Sequence, residues 1–496
     1  MITMSKSKYL AGLQCPKRLW LETHRRDLIP PVSASQQRVF DTGHLIGDLA
    51  RKRFPCGHLF NEDPFAWREV LSETQEHLAK GTPVLYEPCF LHDNAMARPD
   101  ILARTSDGSY DLFELKSTTR VKDEHLHDLA VQTYIYEGSG ISIKGIHLMH
   151  LNTACRYPDL SNLFTADDVT ESVRSKYLPQ VPAKLASFLD TLNQDQEPER
   201  RLGSYCSSPY ECPFFGYCSR QHSLESPSVF DIPFALSQAK DKLLADGYLS
   251  IRDLPDNLED YAVGTRGIAF IQLCKEQKVD INIEGIRRWL TQLQYPLYFL
   301  DFETDAPALP RLPGLGPYGT VPFQFSLHIL NADGSLDEAP GFLHLDTSDP
   351  RPAIAQALLD QIGPAGSIVA YNASFERRVI RELADYLPSS ADDLNALNER
   401  FVDLLDIFRQ HYQDYRFNGS NSIKAVLPVI CPELSYKTLV VANGEAAQAS
   451  WSKMISSNDE VQRLALAEAL RSYCRLDTLA MVRILEYIQG LSKSNS

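Results

Sequence analysis

No stretch of this chain stays apolar for the roughly 18–20 residues that cross a bilayer, so no membrane span is expected. Its opening, MITMSKSKYLAG, lacks an apolar h-region, so no signal peptide is expected and the cytoplasm is the default location. Internal repeats and long low-complexity segments are missing too, which argues against a fibre or a disordered chain. Positive charge is in deficit: 49 Lys and Arg against 64 Asp and Glu leave a net charge of −15. That balance disfavours a generic nucleic-acid coat. It leaves room for an enzyme with a local basic channel and clustered metal-binding carboxylates. Disulfides are not expected among the ten cysteines, because a cytoplasmic compartment keeps thiols reduced. Cys56, Cys89, Cys155, Cys274, Cys431 and Cys474 are scattered and read as small buried apolar residues.

What is present is an ordinary globular composition, 44% hydrophobic and 23% charged over 496 residues. That length suggests about three domains. Residues 1–222 begin helical and turn β-rich. PVLYEPCFL, ARPDILART and SYDLFELKS read as three strands by their β-branched and aromatic content. DEHLHDLAVQTYIYE places Leu126, Leu129, Thr133 and Tyr136 near helical spacing. SIKGIHLMHLN reads as a strand and residues 181–192 as a helix. Residues 223–294 are polar and broken by Pro227, Pro233, Gly247, Pro255 and Gly264, and read as a helical connector. In residues 295–496, PLYFLDFET and VPFQFSLHIL read as strands joined by the loop APALPRLPGLGPYG. FLHLDT and SIVAYN follow as strands, IAQALLDQIG and SFERRVIRELADYL as helices, with two more helices beyond. The class is α/β.

Asp100, Glu114 and Lys116 form a first constellation. Glu114 and Lys116 are two apart and share one strand face, and a hairpin would bring the Asp100 strand beside them. Two carboxylates can hold Mg²⁺ or Mn²⁺. A lysine can steady a metal-activated hydroxide and the charge that develops at phosphorus. The combination suits phosphodiester hydrolysis, and it resembles the PD-(D/E)XK nuclease signature. One turn apart on the next helix, Gln132 and Tyr136 resemble the Q-x-x-x-Y motif of the RecB-like branch. The resemblance implies a restriction-endonuclease-like fold and catalytic roles for Lys116, Gln132 and Tyr136, the last two setting the lysine and the DNA. It implies Asp100, Glu114, Glu87 and His44 as metal ligands, with His44 offset from the family's usual spacing after the glycine. Arg98 is a candidate phosphate contact.

Cys15 stands before this region, and Cys206, Cys212 and Cys218 are evenly spaced after it. Four thiolates suit a [4Fe–4S] cluster or a structural Zn²⁺. RecB-like nuclease domains that carry such a cluster have one cysteine before the core and three after it. The resemblance therefore implies a [4Fe–4S] cluster tying the two ends of the domain together.

A second constellation lies in residues 295–496. Asp301 and Glu303 are two apart in LDFET, Asn372 and Glu376 lie in YNASFE, and Tyr473 and Asp477 stack four apart in SYCRLDT. Carboxylates from one strand and two helices can hold two divalent metals for phosphoryl displacement. The three motifs resemble the DnaQ-like 3′→5′ exonucleases of the RNase H-like fold, in the tyrosine-bearing DEDD branch, where the hydroxyl of Tyr473 would orient the attacking water. Glu376 stands where that family has aspartate. Asp403 and Asp406 are fallback acids read as helical, and Lys424 is a further phosphate candidate.

YLAGLQCPKRLWL, YFLDFET, PFQFSLH and YNASFE resemble, over nearly the whole chain, a bacterial two-domain family. In it an iron–sulfur RecB-like nuclease precedes a domain long labelled as of unknown function. The expected activity is that of a metal-dependent nuclease with two sites, acting on DNA, single-stranded or at ends. An RNA-processing exonuclease, or a nucleic-acid-binding protein with one live site, are the alternatives. Trp20 beside Lys17, Arg18, Arg25 and Arg26 could stack and grip a single strand.

Overall fold

A computed structural model describes residues 3–494. The chain forms two compact units. One comprises the residues up to Ser223 together with Ala308–Tyr318, and the other Leu224–Pro307 together with Gly319 onward. Both are mixed α/β.

The first unit is built on a six-stranded mixed sheet. Its order is His58–Leu59, Val84–Tyr86, Ile101–Arg104, Tyr110–Lys116, Ile143–Leu151 and Phe164–Asp168. Ile101–Arg104 and Tyr110–Lys116 pair antiparallel, and the helix Asp123–Gly138 then carries the chain over to the parallel strand Ile143–Leu151. The alternation of YDLFELK decides what faces the core. Tyr110, Leu112 and Glu114 are buried on one face, so a carboxylate occupies the position where the pattern places an apolar residue. The crossover helix is buried on nearly every side, with Leu129, Ala130, Val131 and Ile135 in the core and Asp128 and Gln132 buried beside them.

Two expected strands are broken at the acids they carry. The PVLYEPCFL stretch splits into Val84–Tyr86 and Phe90–His92 around Glu87, whose φ is +58°. A left-handed residue cannot continue a ladder. The second stretch splits into Ala95–Ala97 and Ile101–Arg104, with Asp100 in the break. Met4–Ser5 pairs with Ala95–Ala97, which brings the start of the chain beside these breaks.

The second unit has its own six-stranded sheet. Leu336–Glu338, Val321–Leu330, Leu297–Asp305, Ser367–Ala370 and Phe401–Asp403 lie in that order, and Phe342–Leu343 also pairs with Val321–Leu330. The first three strands are antiparallel, and Ser367–Ala370 and Phe401–Asp403 are added in parallel. Tyr298, Leu300 and Phe302 pack with Ile354, Leu358, Ile380 and Leu383 of the helices Arg351–Gln361 and Ser374–Tyr386 on one face. The 35-residue helix Glu460–Ser494 crosses the other face, where Ser326 Oγ donates to the Cys474 carbonyl and Gln324 Nε2 to that of Leu470. Alternation therefore turns Asp301 and Glu303 toward this helix.

Several expectations for this unit need correction. FLHLDT forms only the short Phe342–Leu343 ladder. Beyond Tyr386 the described residues make five helices of six residues or more rather than two. Asp403 ends a strand rather than sitting on a helix, while Asp406 is helical as expected. The connector is helical at Ser237–Ala245, Thr265–Glu276 and Ile283–Leu290, and it also contributes Val279–Ile281, which pairs with Tyr412–Asp414.

Candidate active sites

In the first unit, Lys6, His44, Glu87, Asp100, Glu114 and Lys116 line one cavity. Lys116 Nζ lies 2.7 Å from both Glu114 Oε1 and Asp128 Oδ2, and Lys6 Nζ lies 2.8 Å from Glu114 Oε1. Gln132 Nε2 donates to Glu114 Oε2 at 2.9 Å and to Asp128 Oδ1 at 3.1 Å. Tyr136 donates to Gln132 Oε1 at 2.6 Å. Asp100 Oδ2 accepts the Leu115 N–H at 2.6 Å. His44 is exposed on the helix Ala34–Arg51 at the cavity wall.

The charges sort by neighbourhood. Burial works against every ion here. Asp128 and Glu114 nevertheless hold Lys6 and Lys116 above the usual lysine range, and the two lysines hold Asp128 well below the usual carboxylate range. Glu87 and Asp100 fare differently. Burial first and mutual repulsion second push Glu87 up to about 8, and burial with Glu114 pushes Asp100 up to about 6.

Gln132 and Tyr136 are brought to the site but not to a substrate. Both are fully buried, so they position Glu114 and Asp128 and cannot touch DNA. Arg98 is likewise committed, to the Glu87 and Asn61 carbonyls. Asp128 and Lys6 escaped the sequence reading. Asp128 had a signal, since it stands four residues before Gln132 on the same helix face. Lys6 had none, being 108 residues from Glu114.

Cys15, Cys206, Cys212 and Cys218 line a single cavity with Lys17 and Arg18. Among the described residues no three of these sulfurs lie within 4.8 Å of one another. Burial pushes the Cys206 thiol up to about 11, and its three neighbours add to the shift. Most of the nearby basic and aromatic group is tied into the fold. Trp20 is buried and donates to the Gln194 carbonyl, Lys17 pairs with Glu197, Arg18 with Glu22 and Arg25 with Asp27.

In the second unit, Asp301, Glu303 and Asp477 place carboxylate oxygens within 4.8 Å of one another. Tyr436 donates to Asp477 Oδ1 at 2.6 Å, and Tyr473 faces the same carboxyl. Glu376 is buried, its charge is felt by Asp301, and its Oε2 has no hydrogen-bond partner among the described residues. Burial, then mutual repulsion, raises Asp301 well above the usual range and Glu303 to about 8. Burial raises Glu376 to about 8 and Asp477 to about 6. Lys424 is the cation that Glu303 and Asp477 feel. Its Nζ donates to the Ala442 carbonyl and sits 5.5 Å from the ring centroids of both Tyr436 and Tyr473. Asp403 Oδ1 accepts from the Asn372 and Leu405 N–H groups, and its charge is felt by Glu376. Tyr436, in a loop turn, carried no sequence signal.

A family model described as a domain of unknown function (DUF2779) matches residues 298–422. "Uncharacterized protein MG366 homolog" of Mycoplasma pneumoniae is 28% identical over 221 residues, which is 40% of this chain and 33% of that protein. "Uncharacterized protein MG366" of Mycoplasma genitalium is 30% identical over 142 residues, 26% of this chain and 21% of that protein. The match thus spans a third or less of these relatives' length. A solved structure titled "Crystal structure of SSO0001" is 12% identical, covering 44% of this chain and 86% of its own, with a TM-score of 0.24. The family match takes in Asp301, Glu303 and Glu376 and ends before Tyr473 and Asp477.

Proposed function

We propose that the chain is a metal-dependent nuclease with two separate acid sites, acting on DNA and most directly on single-stranded or end-containing DNA. The observation that carries this reading is the Asp301, Glu303 and Asp477 set: three carboxylates gathered in the interior, none in an ion pair among the described residues. Gathering such a set away from water is costly unless a cation joins it. The orphaned Glu376 oxygen adds to the same need. All the donors are hard oxygens, the set that suits Mg²⁺ or Mn²⁺. Asp301, Glu303, Glu376 and Asp477 would hold such ions, which when bound supply charge neutralisation at the phosphate and an activated water.

The chain's own groups do the rest. Tyr436 fixes the Asp477 carboxyl, and Tyr473 beside it is placed to orient a water. The amino end of the helix Gly444–Ser456 lies near Glu303 and favours its charged form. In the first unit, Asp100, Glu114 and Glu87, with His44 at the wall, would hold a divalent ion. Lys116, kept cationic by Asp128, faces the charge that develops on a cleaved phosphate.

We read the first unit as PD-(D/E)XK-like and the second as RNase H-like. An antiparallel hairpin carrying Glu114 and Lys116 followed by a crossover helix supports the former. Three antiparallel strands extended by two parallel ones, with Asp477 on the helix behind, support the latter. We assign Cys15, Cys206, Cys212 and Cys218 to a [4Fe–4S] cluster. A single Zn²⁺ with Zn–S near 2.3 Å would draw all four sulfurs to about 3.8 Å from one another, and no three of these thiols lie within 4.8 Å of one another among the described residues. Anaerobically purified protein should be brown, and Cys212→Ala should bleach it. A colourless, zinc-loaded, fully active protein would sink the assignment.

The test of function is digestion of 5′- and 3′-labelled DNA and RNA, single- and double-stranded, with Mg²⁺ and Mn²⁺. Removal of nucleotides from 3′ ends by the second unit and metal-dependent cutting by the first are the expected results. No cleavage under any condition would overturn the reading. A second reading, in which the second unit binds strands without cutting, is favoured by one fact: Glu376 lies outside the three-carboxylate set.

A further inference from the structure

Within the second unit, a cavity opens beside the turn that leads from the strand Ser367–Ala370 into the helix Ser374–Tyr386. Phe234, Arg266, Tyr371, Asn372, Arg409 and Asn421 form part of its wall. Phe234 is 78% exposed, although a bare phenyl ring in water forgoes the burial that would stabilise it. Its φ is +58°, a left-handed value that a bulky residue seldom adopts. The fold thus holds an aromatic ring out of the core, on strained backbone, at the mouth of a cavity. Asn372 and Gly419, at φ +73° and +74°, are left-handed on the same wall.

The charge around that ring is selective. Arg266 is exposed, lies with its guanidinium 5.0 Å from the Phe234 centroid, and pairs with no carboxylate among the described residues. Arg409 is exposed, sits 3.6 Å from both Asp403 and Asp406 and donates to Asn372 Oδ1 at 3.5 Å, all at the long end of such contacts, so its donors are not saturated. The acid deepest in the wall, Asp414, is already neutralised by Arg416. An exposed ring with the Arg266 guanidinium beside it, and Arg409 and amide side chains on the same wall, matches what single-stranded nucleic acid offers: a base to stack, phosphates to pair and base edges to hydrogen-bond. An apolar ligand would leave the Arg266 guanidinium without an anionic partner.

We propose that this cavity is a nucleotide subsite for single-stranded nucleic acid, with Phe234 stacking a base and Arg266 and Arg409 taking phosphates. The proposal rests on the reading of the second unit's carboxylates as a phosphodiesterase site. Asn372 on the cavity wall is four residues before Glu376, so subsite and acids share one turn of chain.

The experiment uses the full chain carrying Lys116→Ala, which silences the first unit, and two substrates. A single-stranded 12-mer reads the carboxylate site together with the subsite. A nitrophenyl ester of a mononucleotide reads the carboxylate site alone. Stacking is worth about 1–3 kcal/mol per base, so Phe234→Gly should raise KM for the 12-mer about tenfold. It should leave kcat and ester hydrolysis within about twofold, and Phe234→Trp should preserve KM. Glycine suits the left-handed backbone at this position, so the variant should fold. Arg266→Ala should reduce the salt slope of 12-mer binding by about 0.7. If the unaltered protein digests the 12-mer and Phe234→Gly and Arg266→Ala both leave KM unchanged, the subsite is wrong while the phosphodiesterase reading stands. If the Lys116→Ala chain cleaves neither substrate, that reading fails and takes the subsite with it.

Discussion

The two acid sites each gather four carboxylates and handle their charge in opposite ways. In the first unit, Glu114 and Asp128 meet Lys6 and Lys116 at 2.7–2.8 Å. In the second, the cation that Glu303 and Asp477 feel is Lys424, whose ammonium is engaged with a carbonyl and two tyrosine rings. Protonation follows. Asp128 is held below the usual range, whereas all four acids of the second site are pushed above it. The first site is neutralised from within around Glu114, while burial keeps Glu87 and Asp100 raised despite Arg98 and Lys6 nearby. The second is an uncompensated pocket whose charge must come from outside.

The largest effect that sharpens this comparison is expected at Asp301. Asp301→Ala removes the acid nearest the centre of the uncompensated set. It should lower release from 3′ ends by on the order of 10³-fold, the scale of losing a transition-state electrostatic partner. Cutting by the first unit should be unaffected in the same preparation. Equal loss of both activities would show that the sites do not work separately.

Lysine removal should distinguish the sites by stability. Lys116→Met leaves Asp128 buried opposite Glu114 with only Lys6 to share. Breaking such a pair costs several kcal/mol when fully buried, and Lys116 is part-exposed, so about 2 kcal/mol is expected in urea unfolding, together with loss of first-site cutting. Lys424→Met should change stability by less than about 0.5 kcal/mol, since Lys424 is exposed and makes no ion pair among the described residues. Comparable losses for the two variants would break the contrast.

The raised acids give a pH signature. Glu303 and Glu376 titrate near 8 when folded and near 4.3 when unfolded, so the folded chain binds protons that the unfolded chain has released. Their contribution to stability is therefore whole below about pH 4.3 and is lost as the pH rises through 8. In a chelator, Tm should fall by at least about 3 °C between pH 5 and 8, and Mn²⁺ should flatten the slope by replacing those protons. Glu87, also raised to about 8, adds a slope of the same sign, which Glu87→Gln removes. A chelated protein equally stable at both pH values would contradict the uncompensated picture.

What was legible beforehand follows from how far each residue's partners lie along the chain. Asp301 and Glu303 on one strand face, and Tyr473 and Asp477 on one helix face, needed only local periodicity, and the structure puts them together. Glu114 and Lys116 were legible in the same way. Glu87 and Asp100 reached the cavity by a route that propensity cannot express: strand-like residues break where φ turns left-handed or where the chain must step between sheets. Lys6 opens the helix Lys6–Gln14 and is brought in by the two-residue strand Met4–Ser5 before it, too short for any pattern. Trp20 and its basic neighbours looked like a strand-binding face because charge on a helix reads as exposed. In the fold, Lys17, Arg18 and Arg25 are each consumed by a nearby acid or amide. The cavity beside Phe234 was invisible, because nothing in one sequence says that a phenylalanine will be held out of the core.

The smallest expected effect concerns Tyr436, and it tests whether the second site is tuned as well as charged. Its hydroxyl donates to Asp477 Oδ1 and is the principal group holding that carboxyl toward its ionised form against burial. Tyr436→Phe keeps the ring, which packs 6.1 Å from that of Tyr473, and deletes only the donor. Asp477 should then ionise less readily and sit less firmly. Groups of this kind are worth about 10–100-fold in metal affinity or activity, and Tyr473 still faces the carboxyl, so the low end is expected. The Mn²⁺ concentration for half-maximal 3′ digestion should rise about tenfold, while the rate at saturating Mn²⁺ stays within about twofold. The first site has no counterpart to Tyr436, because lysines rather than hydroxyls steady its acids, and its metal dependence should not move. A lower rate that excess Mn²⁺ does not restore would mean that Tyr436 acts on the reacting groups themselves, and that Asp477 does not depend on it.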